Sequence, residues 1–171
     1  MLHANDPKRP DVIKERAKWR EIQKTLEIEQ LVFIDECGVN TAMTRLYGWG
    51  EKGARVEDYV PDARFERTTV LSAVRLSGVE VSVSFEGALK GDIFGLWVKC
   101  VLTPALRVGD VVLLNSLSSH KVAGVLDPVF ERGAFVWFLP VYLSDLNPFL
   151  LLWSKLRAFL RKLKAWSLGE L

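Results

Sequence analysis

Apolar residues along this chain fall into short blocks set apart by turn residues, and five blocks have strand character. Leu31, Val32, Phe33 and Ile34 run without a break into Asp35 and Glu36, as a strand buried on both faces does. Residues 67–76 (RTTVLSAVRL) are rich in β-branched side chains. Residues 79–85 (VEVSVSF) alternate strictly, which predicts one wet face and a place near a sheet edge. Ser77-Gly78 between them reads as a two-residue turn, so the pair is expected to form a hairpin. Residues 110–114 (DVVLL) and 134–139 (AFVWFL) complete the strands.

Helical spacing accounts for the remaining blocks. A first helix is predicted over 11–28, with Asp11 as its N-cap, and it is basic, with seven Lys or Arg between 8 and 24. A second is predicted over 91–106, and a third over 120–130 capped by Ser118 or Ser119. The last, over 149–166, puts Leu152, Trp153, Leu156, Phe159, Leu160 and Leu163 on one face. Lys155, Arg157, Arg161, Lys162 and Lys164 occupy the other. The order is helix, strand, hairpin, helix, strand, helix, strand, helix. It predicts an α/β fold, a mixed five-stranded sheet with helices on both faces, which is the ribonuclease-H-like architecture.

Composition narrows the setting more than the function. A chain of 171 residues, nearly half of them hydrophobic, suits one domain with a real core and excludes a disordered chain. The net charge of +2 is too small to argue for nucleic acid, so any such footprint must be local. Cys37 and Cys100 show no zinc spacing and read as free thiols of a reducing compartment. The start of the chain has no signal-peptide character and no apolar run approaches membrane-spanning length, so the expected location is the cytoplasm, with no membrane partner. A membrane-surface role for the amphipathic last helix is a minor reading, because the sheet offers that face a partner.

Candidate chemistry starts at Asp35. It follows a buried strand, where open α/β sheets expose their sites, and a carboxylate there needs a partner or a metal. An ordinary reading, two acids ending a strand at the surface, stands beside it. Residues 44–55 carry three glycines, so they turn rather than coil into a helix. Within them Arg45, Lys52 and Arg55, with Tyr47 and Trp49, can meet a phosphate backbone and stack on bases, or form a plain tight loop. They lack the Lys-Ser/Thr of a nucleotide-binding loop. Lys155, Arg157 and Arg161 on the last helix are further candidates for DNA backbone contact, as are His120 and Lys121. His120 also titrates near neutrality and is a candidate acid or base, or else an organiser of its loop.

Four motifs in order carry a resemblance: FIDECGVN, TRLYGWGEKGARV, LLNSLSSHK and LPVYLSDLNPFLLLWSKLR. They resemble the catalytic domain of DDE-superfamily transposases, in the bacterial insertion-sequence branch of the mariner-like superfamily. The likeness spans about residues 11–171. It implies a ribonuclease-H-like domain over 31–171, preceded by a helical lead-in over 1–30. It also implies that the helix-turn-helix domain such proteins carry upstream is missing, so this chain looks like the second half of a longer or split protein.

In that family three carboxylates hold two Mg²⁺ or Mn²⁺ ions about 4 Å apart, which activate the attacking oxygen and stabilise the leaving one. The first position matches Asp35, the metal-ligand carboxylate that remains. The second falls at Asn115 and the third at Leu150; the thirty-four residues between them are the family's spacing. An amide cannot neutralise a divalent ion and a leucine cannot ligate one. Glu36 points to the opposite face from Asp35, and Asp145 stands before the last helix. Neither is expected to rescue the site. The resemblance therefore implies a transposase domain that does not hold the metal pair and does not cut. The alternative is a DNA-backbone-binding or regulatory remnant that pairs with itself or with an active transposase.

Overall fold

The computed structural model describes residues 9–45, 47–59, 66–139 and 147–163. Its order is α1 (Pro10–Gln23), a 3₁₀ turn (Ile28–Gln30), β1 (Leu31–Asn40), β2 (Arg67–Arg75), β3 (Gly78–Glu86), α2 (Gly91–Trp97), α3 (Thr103–Ala105), β4 (Val111–Leu114), α4 (Asp127–Glu131), β5 (Phe135–Phe138) and α5 (Phe149–Leu163). A π turn, Val98–Leu102, joins α2 to α3, so the second predicted helix is one helical run with a local widening. The strands form one sheet in the order β3-β2-β1-β4-β5. The first three are antiparallel neighbours, and β4 and β5 are parallel to β1.

Strand periodicity sorts the core into two sides. Val32 and Ile34 of β1, Leu71 and Ala73 of β2, and Val112 and Leu114 of β4 face Phe94, Trp97, Val98 and Leu102 from the helical run. The alternate residues face the other way. Val111 and Leu113 pack against Val12 and Trp19 of α1, and Cys37 and Val39 pack against Phe149, Trp153 and Leu160 of α5. Full burial of each aliphatic side chain contributes about 1.5–3 kcal/mol.

Several expected boundaries move, each for a local reason. Arg9, not Asp11, occupies the N-cap position of α1 without a side-chain capping bond, and Pro10 stands in the first turn where a missing N–H costs nothing. Asp11 pairs with Arg9 at 2.8 Å instead. The helix ends at Gln23 because the Thr25 hydroxyl donates to the Ile22 carbonyl at 2.8 Å and the chain turns. The hairpin turn is Leu76-Ser77. Gly78, at φ 126°, already opens β3 opposite Arg75, in a conformation that a side chain would oppose. Residues 120–130 are not one helix. A 3₁₀ turn (Ser118–Lys121) comes first, Gly124 at φ 76° breaks the path, and α4 begins only at Asp127. Neither Ser118 nor Ser119 caps α4. The predicted end of the last helix beyond Leu163 lies outside the described residues.

β3 is the edge strand that its alternation predicts, and it carries a bulge: Ala73 pairs with Val81 and Val74 with Val79, leaving Glu80 extra. The bulge brings the Glu80 carboxylate to 3.1 Å from Arg75 Nε. Arg75 is buried, and its two terminal nitrogens donate to both oxygens of Asp110, at 2.8 and 2.7 Å. It also donates to the Ala105 carbonyl at 3.1 Å. One guanidinium thus ties the β2–β3 turn to the start of β4.

Candidate active site

β1 pairs with β4 only from Leu31 to Phe33, while its antiparallel pairing with β2 continues to Asn40. Asp35 is therefore not at the end of its strand, as the apolar run suggested. It lies just past the end of the parallel pairing, where β1 and β4 part. Asn115 directly follows β4, so the register that sets Phe33 beside Leu113 brings position 115 alongside Asp35.

Asp35 faces α5. Its Oδ1 accepts a hydrogen bond from Asn115 Nδ2 at 3.2 Å, and its Oδ2 accepts one from Trp153 Nε1 at 3.1 Å. Trp153 is held by stacking on Phe149, with ring centroids 4.8 Å apart. Arg157, one turn further along α5, lies close enough to act on Asp35 electrostatically. Burial raises the Asp35 carboxyl above its usual range, partly offset by the Trp153 hydrogen bond and the Arg157 charge. Burial likewise raises the Cys37 thiol, two residues on along the same face.

Glu36 points to the opposite side of the sheet. Its Oε2 stands 3.8 Å from His120 Nε2. Burial, and next the charge of Asp35, push the Glu36 carboxyl up to about 7. His120 is fully buried, leans on the Phe94 ring with centroids 4.4 Å apart, and donates from Nδ1 to the Asn115 carbonyl at 3.0 Å. Burial lowers its pKa, partly offset by that hydrogen bond. The expectation that His120 contacts DNA is corrected here, because no surface of the ring is exposed to a phosphate.

Leu150 sits in the first turn of α5, half exposed. It lines an apolar cleft of 620 Å³ with Leu31, Phe33, Val74, Leu76 and Leu151, and Asp35 is not among the lining residues. From α5 the residues that meet Asp35 are Trp153 and Arg157. Asp145 lies outside the described residues. Among the described residues no three His, Cys, Asp or Glu side chains converge as a metal-binding group. The side chains present at positions 35, 115 and 150 therefore do not fit a pair of divalent ions.

The basic candidates are spread over the surface. Arg45, Lys52 and Arg55 are exposed in a segment without regular structure, beside the exposed rings of Tyr47, Trp49 and Tyr59. Gly48 and Gly50 matter there for closeness: a Cβ on either would lie 2.8 or 2.7 Å from the Val56 side chain. Lys121 is exposed, with its Nζ 6.0 Å from the centre of the Phe138 ring. Lys155, Arg157 and Arg161 are exposed along α5. No helix among the described residues is long and apolar enough to cross a membrane.

The profile of the family described as DDE superfamily endonuclease matches residues 30–171. This chain belongs to that family. The DDE domain also resembles solved structures of Mos1 transposase. It matches the Mos1 mariner paired-end complex with Mn at a TM-score of 0.76, with 16% identity, covering 99% of this chain and 53% of that one. It matches the Mos1 paired-end complex with left transposon end at 0.69, with 16% identity, over 86% and 47% of the two chains. The isolated Mos1 catalytic domain matches at 0.61, with 14% identity, over 92% and 72%. The DDE domain thus spans about half the length of the Mos1 chains in those complexes. No curated protein matches it in sequence. Identities this low carry the ribonuclease-H-like fold and nothing about residue chemistry.

Sequence reasoning missed Trp153 as a partner of Asp35. The signal was present, since Trp153 lies three residues after position 150 and therefore on the same helical face. It also missed the Arg75–Asp110 pair and the opposition of Glu36 and His120.

Proposed function

We propose that this DDE domain is a disarmed relative of an insertion-sequence transposase catalytic domain, which keeps the fold and does not assemble the two-metal centre for DNA cleavage and strand transfer. One observation carries the reading: both Asp35 oxygens are taken up by neutral donors, Asn115 Nδ2 and Trp153 Nε1. An intact centre would present anionic oxygens to Mg²⁺ or Mn²⁺ there, polarising the scissile phosphate and the attacking oxygen. Asn115 and Leu150 supply no second or third carboxylate, and no cleavage step is assigned to this chain. In this reading the 1–30 segment is a lead-in to a 31–171 catalytic-type domain, acting in the cytoplasm.

What the domain keeps is a binding role. In this reading the exposed Arg45, Lys52, Arg55, Lys121, Lys155, Arg157 and Arg161 meet DNA phosphates, without sequence preference and weakly. A second copy, or an active transposase, is the expected protein partner, which would make this chain a regulator.

The test is metal-dependent nicking of supercoiled DNA by three proteins: the chain itself, the Asn115→Asp/Leu150→Glu variant, and that variant with Asp35→Ala. The chain should be silent, the double variant should cut with Mn²⁺, and the triple variant should be silent. Cutting by the unmodified chain that is lost on Asp35→Ala would overturn the proposal. For DNA binding, log K against log[salt] should fall steeply, and no mobility shift with any duplex at low salt would remove that part.

A further inference from the structure

The two edges of the sheet are finished differently. β3 carries devices that keep an edge from pairing: the Glu80 bulge, and Ser82, Ser84 and Glu86 between its apolar residues. β5 has neither. Its residues Phe135, Val136, Trp137 and Phe138 include no charge and no proline, and β4 is its one neighbour among the described residues. The Phe135 N–H donates to the Asp110 carbonyl at 2.7 Å, and the Leu139 N–H to the Leu114 carbonyl at 2.8 Å. Backbone groups change side from one strand residue to the next, so Trp137 also turns its N–H and C=O towards β4. Val136 and Phe138 turn theirs outward. Beside them, between β5 and α1, lies a cleft of 220 Å³ lined by Trp19, Ile22 and Trp137 and by the exposed Glu15 and Lys18. Phe135 is 60% exposed and Phe138 38%.

We propose that the β5 edge is the surface on which a second copy of this chain docks, the two β5 strands pairing antiparallel across a two-fold axis and joining two five-stranded sheets into one. The inference rests on the reading above, in which the domain keeps a protein partner, and it names the surface. With the axis at Trp137, Val136 stands opposite Phe138 of the other copy and exchanges both N–H···O=C bonds with it, and the reverse pair does the same. The outward backbone groups of both strands are then satisfied. Trp137 meets its own counterpart in the close, non-hydrogen-bonded position, with Cα atoms about 4.5 Å apart. Its ring already packs edge-on against Trp19, with centroids 6.1 Å apart, so pairing brings two such indole pairs together. Two things favour a second copy over a loose peptide. A two-fold contact sets one patch against itself, and this patch suits that, being apolar along the strand with one acid and one base, Glu15 and Lys18, at its side. A four-residue edge also gives a peptide few bonds to offset the entropy of ordering it, whereas a folded copy brings its strand and helix already ordered.

The test is sedimentation velocity of the purified full chain over a dilution series, in reductant so that the exposed Cys100 does not link copies, with amide hydrogen exchange measured at both ends of the series. A concentration-dependent dimer is expected. The Val136 and Phe138 amides should exchange roughly tenfold or more slowly in the dimer than after dilution, while the Trp137 amide stays slow in both. Phe138→Pro removes one outward donor without touching the β4 ladder and should abolish the dimer. Phe135→Lys puts a charge on the bare edge at an exposed position and should weaken the dimer roughly tenfold, which decides the matter if the proline variant fails to fold. A chain that stays monomeric at every concentration would overturn the proposal, as would a dimer that both variants leave unchanged. Val136 and Phe138 amides equally protected in the monomer would overturn it too, by showing that the chain covers its own edge. The nicking and duplex-shift assays do not depend on β5. A monomer that behaves as expected in them sinks this inference alone, and a dimer that fails them sinks the proposed function instead.

Discussion

Asn115→Asp should destabilise the domain at alkaline pH in the absence of metal, and the structure sets the scale. Asn115 Nδ2 donates to Asp35 Oδ1 at 3.2 Å, and its side chain also helps to hold the Glu36 carboxylate ionised. Losing a hydrogen bond to a charged acceptor costs about 1.5–3 kcal/mol. A new carboxylate so close to Asp35 adds like-charge repulsion of about 4 kcal/mol at 4 Å and an effective dielectric of about 20. The cluster escapes part of this by taking up a proton, at about 1.4 kcal/mol per unit of pKa shift. The net expectation is a loss of about 2–4 kcal/mol at pH 8. The sign follows from linkage. These acids have raised pKa values in the folded state, so the folded state binds more protons than the unfolded one, and stability falls as pH rises through that window. The penalty should therefore shrink towards pH 5. Urea unfolding followed by tryptophan fluorescence at both pH values, in chelator, measures it. Equal midpoints for the variant and the parent at pH 8, or a loss of the same size at both pH values, would refute the reasoning.

Four further outcomes follow from the same geometry. Trp153→Phe keeps the stacking on Phe149 but removes the indole donor, so it should cost about 1.5–3 kcal/mol in urea unfolding and raise the Asp35 carboxyl further in an NMR titration. Glu36 sits at about 7, so between the ordinary Glu range and about pH 7 its burial should make the parent lose stability with rising pH, by up to about 3 kcal/mol. Glu36→Gln should flatten that slope in a series of thermal or urea melts without added metal. Asp110→Ala leaves the buried Arg75 guanidinium without its main partner and should cost about 3–5 kcal/mol by the same unfolding assay. The Asp110 carboxyl is lowered because hydrogen bonds from Arg75 and Arg107 outweigh its burial, so this contribution is present at neutral pH and should fade as pH falls through the acid range, as acid unfolding curves of parent and variant would show.

The strands and their order were legible because hydrophobic blocks, turn residues and the hairpin are local signals. The register of Asp35 against Asn115 was legible for another reason: motif spacing carried it. What stayed hidden needed three dimensions. The six residues DECGVN after the apolar run read as a strand end, yet β2 pairs with them as far as Asn40. The break at Gly124 was missed because a single glycine can sit in a helix, and only its positive φ shows that it does not. Trp153 read as a core residue on an apolar face, which it is, while its one polar atom reaches the site. Arg75 and Asp110, thirty-five residues apart, carry no shared pattern that would pair them in advance. His120 looked available for DNA because it borders a polar loop, and the Phe94 ring and the sheet enclose it instead.

The parting of β1 from β4 beyond Phe33 has one more consequence. The crevice that holds Asp35 is cut by the backbone, at the place where two strands stop sharing a ladder. Its shape depends on pairing register and helix packing, and its reactivity depends on a few side chains that hang into it. The two properties can be lost or regained separately. Acids introduced at positions 115 and 150 would enter a backbone frame that register and packing set without them.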